Sequence, residues 1–356
     1  MPNRTLFRSA FPQPIVRALA AAAAAWALGG SVAGQDASSL PQSMIETAAP
    51  LAPEQKTRLG AFVSAQVRQL AEGEPDRVGR ARVELSTPPG RPGASETFRR
   101  EYAAIVRPAL APIIAGTDEM RTINALIVIA SLRSPESVDL LLERSDPSRE
   151  PRLAVRIRAS SSLADAIAQA PLTPAQIDGA TRRLSANAGQ ETDWVPILHA
   201  FRAIVRIVAL PGLPDASVGV ALRAETELLA QLVDRIRRES AASPLMNAMA
   251  QALLSVRNQL TTMPADRATT LRRDLAPTLV GVARATVAHW DSARADQSLA
   301  RVYGSALGVV DLILALAATD RRTPGTFAFV RAWESGSKVD FEAELKRAET
   351  MFPRGR

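Results

Sequence analysis

The stretch Ser134 to Ala170, SPESVDLLLERSDPSREPRLAVRIRASSSLADAIAQA, constrains the fold of this chain more than any other. Ser134 is placed to cap a helix whose first position is Pro135, where the missing N–H costs nothing. Glu136 follows at the positive end of the helix dipole. Val138, Leu141 and Leu142 then recur at the spacing of one helix face. Asp146-Pro147-Ser148 turns the chain, and a second helix is expected after Pro151. Leu153, Ile157, Ala164 and Ile167 fall in one apolar stripe, flanked by Leu163. Leu172-Thr173-Pro174 ends that helix and caps the next. The product is a pair of short antiparallel helices, with Leu141 and Ile157 both assigned to the core.

These residues resemble a HEAT-type helical repeat. Such repeats carry an acidic residue six positions before an Arg, Val before that Arg, a small residue three after it and Leu seven after it. The corresponding residues are Glu150, Val155, Arg156, Ala159 and Leu163. The resemblance covers about one repeat. It implies that Glu150 and Arg156 belong to a polar ladder linking neighbouring repeats. It says nothing of activity, because repeat scaffolds serve many unrelated ones.

Composition agrees with closely packed helices. Of 356 residues, 47% are hydrophobic and only 4% aromatic, and the 25 prolines sit largely at first-turn positions or between helices. Cysteine is absent, which excludes disulfides, thiolate metal sites, a cysteine nucleophile and a lipidated N-terminal Cys.

Residues 1–33 have the form of a Sec-type secretory signal. Arg4, Arg8 and Arg17 precede an apolar core, ALAAAAAAWAL, and Ser31-Val32-Ala33 places cleavage after Ala33. The core is too short to cross roughly 30 Å of hydrocarbon comfortably, so an uncleaved N-terminal membrane anchor is the alternative. Loss of the three arginines lowers the formal charge from +7 to +4. The remaining charges are interspersed, which does not give a nucleic-acid footprint.

Residues 34–53 are expected to be a flexible tether, and 54–356 an α-helical repeat-like domain. Leu59, Phe62, Val63, Val67 and Leu70 mark its first helix. Residues 72–95 are rich in Pro, Gly and Arg and are expected to form a long loop. Arg77, Arg80, Arg82 and Arg91 make it the candidate contact for an anionic partner. The next helix should bend or break near Pro108 and Pro112, and Thr117 should cap the one after. Longer helices are expected at 174–188, 191–209, 215–239, 243–261, 265–290 and 292–319, with two shorter ones near 324–334 and 338–351. Regularity therefore decays toward the C-terminus.

No catalytic motif is present. His199 and His289 lack the partners of a helical zinc motif, and the chain has no Walker loop, no GxGxxG and no GxSxG elbow. Asp311 interrupts an apolar run, so it needs a partner if buried, and it argues against a membrane span there. Whether His199, His289 and Asp311 converge is left open at this level. The mixed runs Arg235 to Glu239 and Arg272 to Asp274 have the form of solvated helix faces.

The expectation is an all-α chain: a right-handed α-solenoid-like stack of antiparallel helix pairs with a less regular C-terminal part. The expected function is that of an exported, non-catalytic scaffold in the periplasm or outside the cell. It would bind a protein partner in the cell envelope, with no cofactor, no metal, no nucleic acid and no stable membrane span after signal removal. Two alternatives remain, an all-α enzyme acting on polysaccharide and a protein binding anionic polymer through residues 77–91. The four tryptophans are few for stacking on sugars.

Overall fold

The computed structural model describes residues 39–240, 244–321 and 325–353, and every regular element among them is helical. The expected signal, its cleavage point at Ala33 and residues 34–38 lie outside the described residues. The rest of the expected tether is not loose. A single turn, α1 (Gln42–Ile45), carries Met44 and Ile45 into the core, joined there by Leu40 and Leu51. The segment is held at Ser95, whose N–H donates to the Ile45 carbonyl at 3.0 Å, and at Thr97, whose hydroxyl donates to Ala48 at 3.0 Å. Four apolar side chains outweigh the prolines that made the segment look like a linker.

α2 (Pro53–Glu72) is followed by α3 (Pro75–Ser86), which replaces most of the expected loop at 72–95. Pro75 is not a breaker there, because it occupies the first helical position. Val78, Ala81 and Leu85 give α3 a buried face at helical spacing. Gly79 inside the helix costs about 1 kcal/mol against Ala, which that burial offsets. Pro88 and Pro89 are themselves buried in a short 3-10 turn.

α4 (Glu96–Ala115) is one helix with Pro108 and Pro112 inside it, contrary to the expected break. Both prolines lie on the exposed side, so water can satisfy the carbonyls of Ala104 and Pro108 that they leave without a donor. α5 (Glu119–Ser131) is capped by Asp118 and not by Thr117, its side chain accepting from the Arg121 N–H at 3.0 Å. Ser134 caps α6 (Pro135–Arg144) as expected, accepting from the Ser137 N–H at 3.2 Å. α7 (Leu153–Gln169) and α8 (Pro174–Gln190) follow, the latter with Thr173 and Gln176 forming a capping box.

The buried face of α7 is turned from the expected stripe. Val155, Arg156, Ala159, Ser160, Leu163, Ala166 and Ile167 are buried, whereas Leu153 is 38% exposed and Ile157 only half-buried. Arg156 enters the interior because a carboxylate waits there, and its neighbour Ile157 is displaced outward.

The remaining helices are α9 (Trp194–Val208), α10 (Asp215–Arg238), α11 (Leu245–Thr262), α12 (Ala265–Ala288), the short α13 (Trp290–Ala295), α14 (Gln297–Asp320), α15 (Phe329–Ser335) and α16 (Lys338–Met351). Alternate helices are neighbours. One row runs α3, α5, α7, α9, α11, α14, and the other runs α6, α8, α10, α12, α16. α4 departs from this pattern, packing on α2 and α5 but not closely on α6.

The C-terminal helices close on an aromatic cluster in which Trp290 meets Trp333 edge-on at 4.9 Å and Tyr303 stacks on Trp333 at 5.8 Å. Arg294 lies over both indoles and donates to the Trp333 carbonyl. Among the described residues, α14 alone is long and apolar enough to cross a membrane, and 56% of that apolar window is buried inside the fold.

Candidate functional site

Charged side chains are buried where the turns between helices line up. Glu150, before α7, is 1% exposed and receives Arg152 at 2.7 and 2.8 Å and Arg144 at 3.3 Å. Arg152 also donates to the Gly116 carbonyl at 2.8 Å, which joins the turn before α5 to the turn before α7. Arg156 forms a two-pronged pair with Glu191 at 2.7 and 3.1 Å, and this reaches the turn before α9. Arg235 on α10 donates to the Glu191 carbonyl at 2.8 Å, and His289 at the end of α12 donates its Nε2 proton to the Ile236 carbonyl at 2.7 Å.

Glu150 and Arg156 do meet, but through the backbone. Arg156 donates to the Glu150 and Pro151 carbonyls at 3.0 and 2.9 Å, while the Glu150 carboxylate is held by Arg152 and Arg144. Burial pushes both carboxyls up. In Glu150 the bonds from Arg152 and Arg144 overcome this and hold it below the usual carboxylate range. In Glu191 Arg156 and the Asp193 and Thr192 N–H groups do the same.

Among the described residues no hydrogen bond joins the three residues whose convergence the sequence left open. The Asp311 carboxylate accepts from the Phe329 and Val330 N–H groups at 3.0 and 2.9 Å, so it caps α15 from a neighbouring helix. Burial keeps its carboxyl above the ordinary value, the two N–H groups working against that and Glu344 adding to it. His199 is half-buried, and burial together with the charges of Arg202 and Arg158 lowers its affinity for a proton. Among the described residues no group of His, Asp and Glu is placed to hold a metal ion.

Of the four arginines predicted to meet an anion, Arg80 and Arg82 line one cavity together with Asp76 and Glu84, which Arg77 and Arg91 do not enter. Arg82 donates to the Asn124 side chain at 3.0 Å and so ties α3 to α5. Arg77 lies five positions back, about 140° around the helix, and is exposed, as is Arg80. Arg91 follows the 3-10 turn and is half-buried.

A different basic site is assembled beside α4. Because α4 and α6 do not close on each other, a groove runs along α4, formed by two adjoining cavities of about 460 and 620 Å³ that share Arg107 and Glu136. The first takes in Arg99, Arg100 and Arg107 from α4 and Arg133 from the turn before α6. It is floored by Ala103 and Ala104 and also holds Glu96 and Glu136. The second continues over Pro108 and Ala111 toward Asp139, Glu143 and Arg183. Arg183 is paired with Asp139 at 2.8 Å, whereas Arg99, Arg100, Arg107 and Arg133 have no carboxylate within ion-pair distance among the described residues. The Arg99 Nε donates to the Pro89 carbonyl at 3.0 Å, which orients its guanidinium.

This groove was not legible in the sequence, because Arg133 is far from the other three in the chain. The available signal was Arg100 and Arg107, two helical turns apart on a face that also carries Ala104 and Ala111. Comparison of the chain with protein-family models, with curated proteins and with solved structures finds no match in any of the three.

Proposed function

We propose that this chain is an exported, non-catalytic helical scaffold that holds a segment of a partner protein along the groove beside α4. The proposal includes a solenoid-like stack of helix pairs, HEAT-like in kind. The packing of alternate helices in two rows and the polar links from turn to turn support it. Export to the periplasm or cell exterior rests on the composition of residues 1–33, and the envelope partner follows from that location.

One observation carries the binding reading: α4 presents small side chains and unpaired guanidiniums to a groove that no other helix fills. Ala104 and Ala111 leave room for a chain, and the carbonyls left by Pro108 and Pro112 add hydrogen-bond acceptors on that side. The aromatics argue against a sugar platform, since among the described residues none of the large apolar side chains most exposed to solvent is aromatic.

The test uses the full-length protein as bait in cell-envelope extract, beside its Ala111→Trp and Val339→Trp variants. Ala111 is exposed in the groove and Val339 is 77% exposed in the first turn of α16, so neither change strains the core. A partner retained by wild type and Val339→Trp and lost with Ala111→Trp is the expected result. Equal retention by all three proteins removes the groove from the proposal.

A further inference from the structure

The cavity at the head of the groove holds four guanidiniums against two carboxylates. Water alone screens charge poorly in a partly enclosed space, so such an arrangement gains from an anion more than an open surface does. Guanidinium presents a fixed fork of donors matched to the two oxygens of a carboxylate.

Arg133 supplies an independent observation. Its φ is +53°, the one positive value at a non-glycine among the described residues. It follows Leu132, the C-cap of α5, where a helix ends most easily with glycine in the left-handed region. Glycine would be free of this strain, whereas arginine is not. The chain accepts the strain at the position that brings a guanidinium to the cavity wall.

We propose that the cavity of Arg99, Arg100, Arg107 and Arg133 grips the side-chain carboxylates of an acidic peptide segment of the partner. This rests on the scaffold reading and specifies the partner's chemistry. Beyond the cavity the groove changes character. Glu136, Glu143 and Arg107 line its second half, where Asp139 is neutralised by Arg183 and the Arg144 guanidinium is held by Glu150. The segment is therefore acidic where it meets Arg100 and Arg133, and neutral or basic where it passes Ala111.

Fluorescence anisotropy with a labelled hexaglutamate peptide tests this on the full-length protein. Hexaglutamine is the neutral control and inorganic phosphate the competitor. Hexaglutamate should bind, hexaglutamine should not at the same concentration, and affinity should fall steeply with added salt. Arg100→Gln with Arg107→Gln should weaken binding by about tenfold or more. Arg77→Gln with Arg80→Gln removes the same charge elsewhere and should leave binding unchanged. Arg133→Gly should weaken binding while raising Tm, which separates loss of the site from loss of the fold.

Equal losses from the two double variants would reduce the binding to net charge and overturn the proposal. So would displacement by phosphate as effective as that by unlabelled peptide, which would make the cavity a small-anion site. No hexaglutamate binding, with Ala111→Trp still abolishing capture, overturns the acidic segment and leaves the scaffold reading standing.

Discussion

At the scale of single residues, Glu225 is the most consequential side chain outside the groove. It is fully buried on α10, and its partner is the Gln259 amide at 3.1 Å on α11, with its other oxygen unpartnered. Burial moves its carboxyl from 4.5 to about 8, with the Gln259 bond acting in the opposite direction. Between those values the folded chain keeps a proton that the unfolded chain has released. Its contribution to stability is complete below about 4.5 and is lost as pH rises through about 8. The melting temperature should therefore fall between about pH 4.5 and pH 8 and level off above that, and Glu225→Gln should flatten that slope. Calorimetry across this range decides it, and a parallel slope in the variant would show that Glu225 is ionised in the fold. Nothing in the sequence around Glu225 foretold this. An acid in an amphipathic helix is ordinarily exposed, and its burial depends on α11 and α12 closing over α10.

At the scale of elements, most helices were legible because their causes are local. Pro174 at a first position, the Thr173 cap and the apolar spacing of α8 lie within a few residues of one another. The failures have two causes, one local and one distant. α3 was hidden by Gly73, Pro75 and Gly79, although the spacing of Val78, Ala81 and Leu85 was there. In α7 the apolar pattern was read without knowing that Arg156 had a partner 35 positions away. The two positions first assigned to the core should accordingly part company. Leu141 is fully buried, so Leu141→Asp should cost roughly 3 kcal/mol or more. Ile157 is half-buried, and Ile157→Asp should cost about 1 kcal/mol or less. Urea unfolding of the two variants measures the difference, and equal losses would restore the simple stripe.

At the scale of the whole molecule, the polar links between turns set how the helix pairs hold together. Arg156 and Glu191 are both nearly buried, with side chains 10% and 2% exposed. Removing one charge strands the other, so Glu191→Gln should cost about 3–5 kcal/mol. Replacing both, as Arg156→Met with Glu191→Leu, should recover much of that loss, since an apolar pair of similar volume has no desolvation cost to meet. Chemical denaturation of the single and double variants completes the cycle, and an unrecovered loss would mean that Glu191 acts chiefly through the Thr192 and Asp193 N–H groups. The depressed carboxyls of Glu150 and Glu191 add acid sensitivity of the opposite sign to Glu225. Their contribution is present above the ordinary carboxyl range and is lost as pH falls through their lowered folded values.

The sequence by itself determined that the described chain is helical, where most helices start, and that Ser134 and Thr173 cap two of them. Capping and periodicity act over three or four residues, and those residues are adjacent in the chain. Only the tertiary structure decided that Arg156 turns inward to Glu191, that Asp311 caps α15, and that Arg133 joins Arg99, Arg100 and Arg107 around one cavity. Each of these is an electrostatic match between groups far apart in sequence. Its energy exists only once helix packing has removed water and brought the partners within reach.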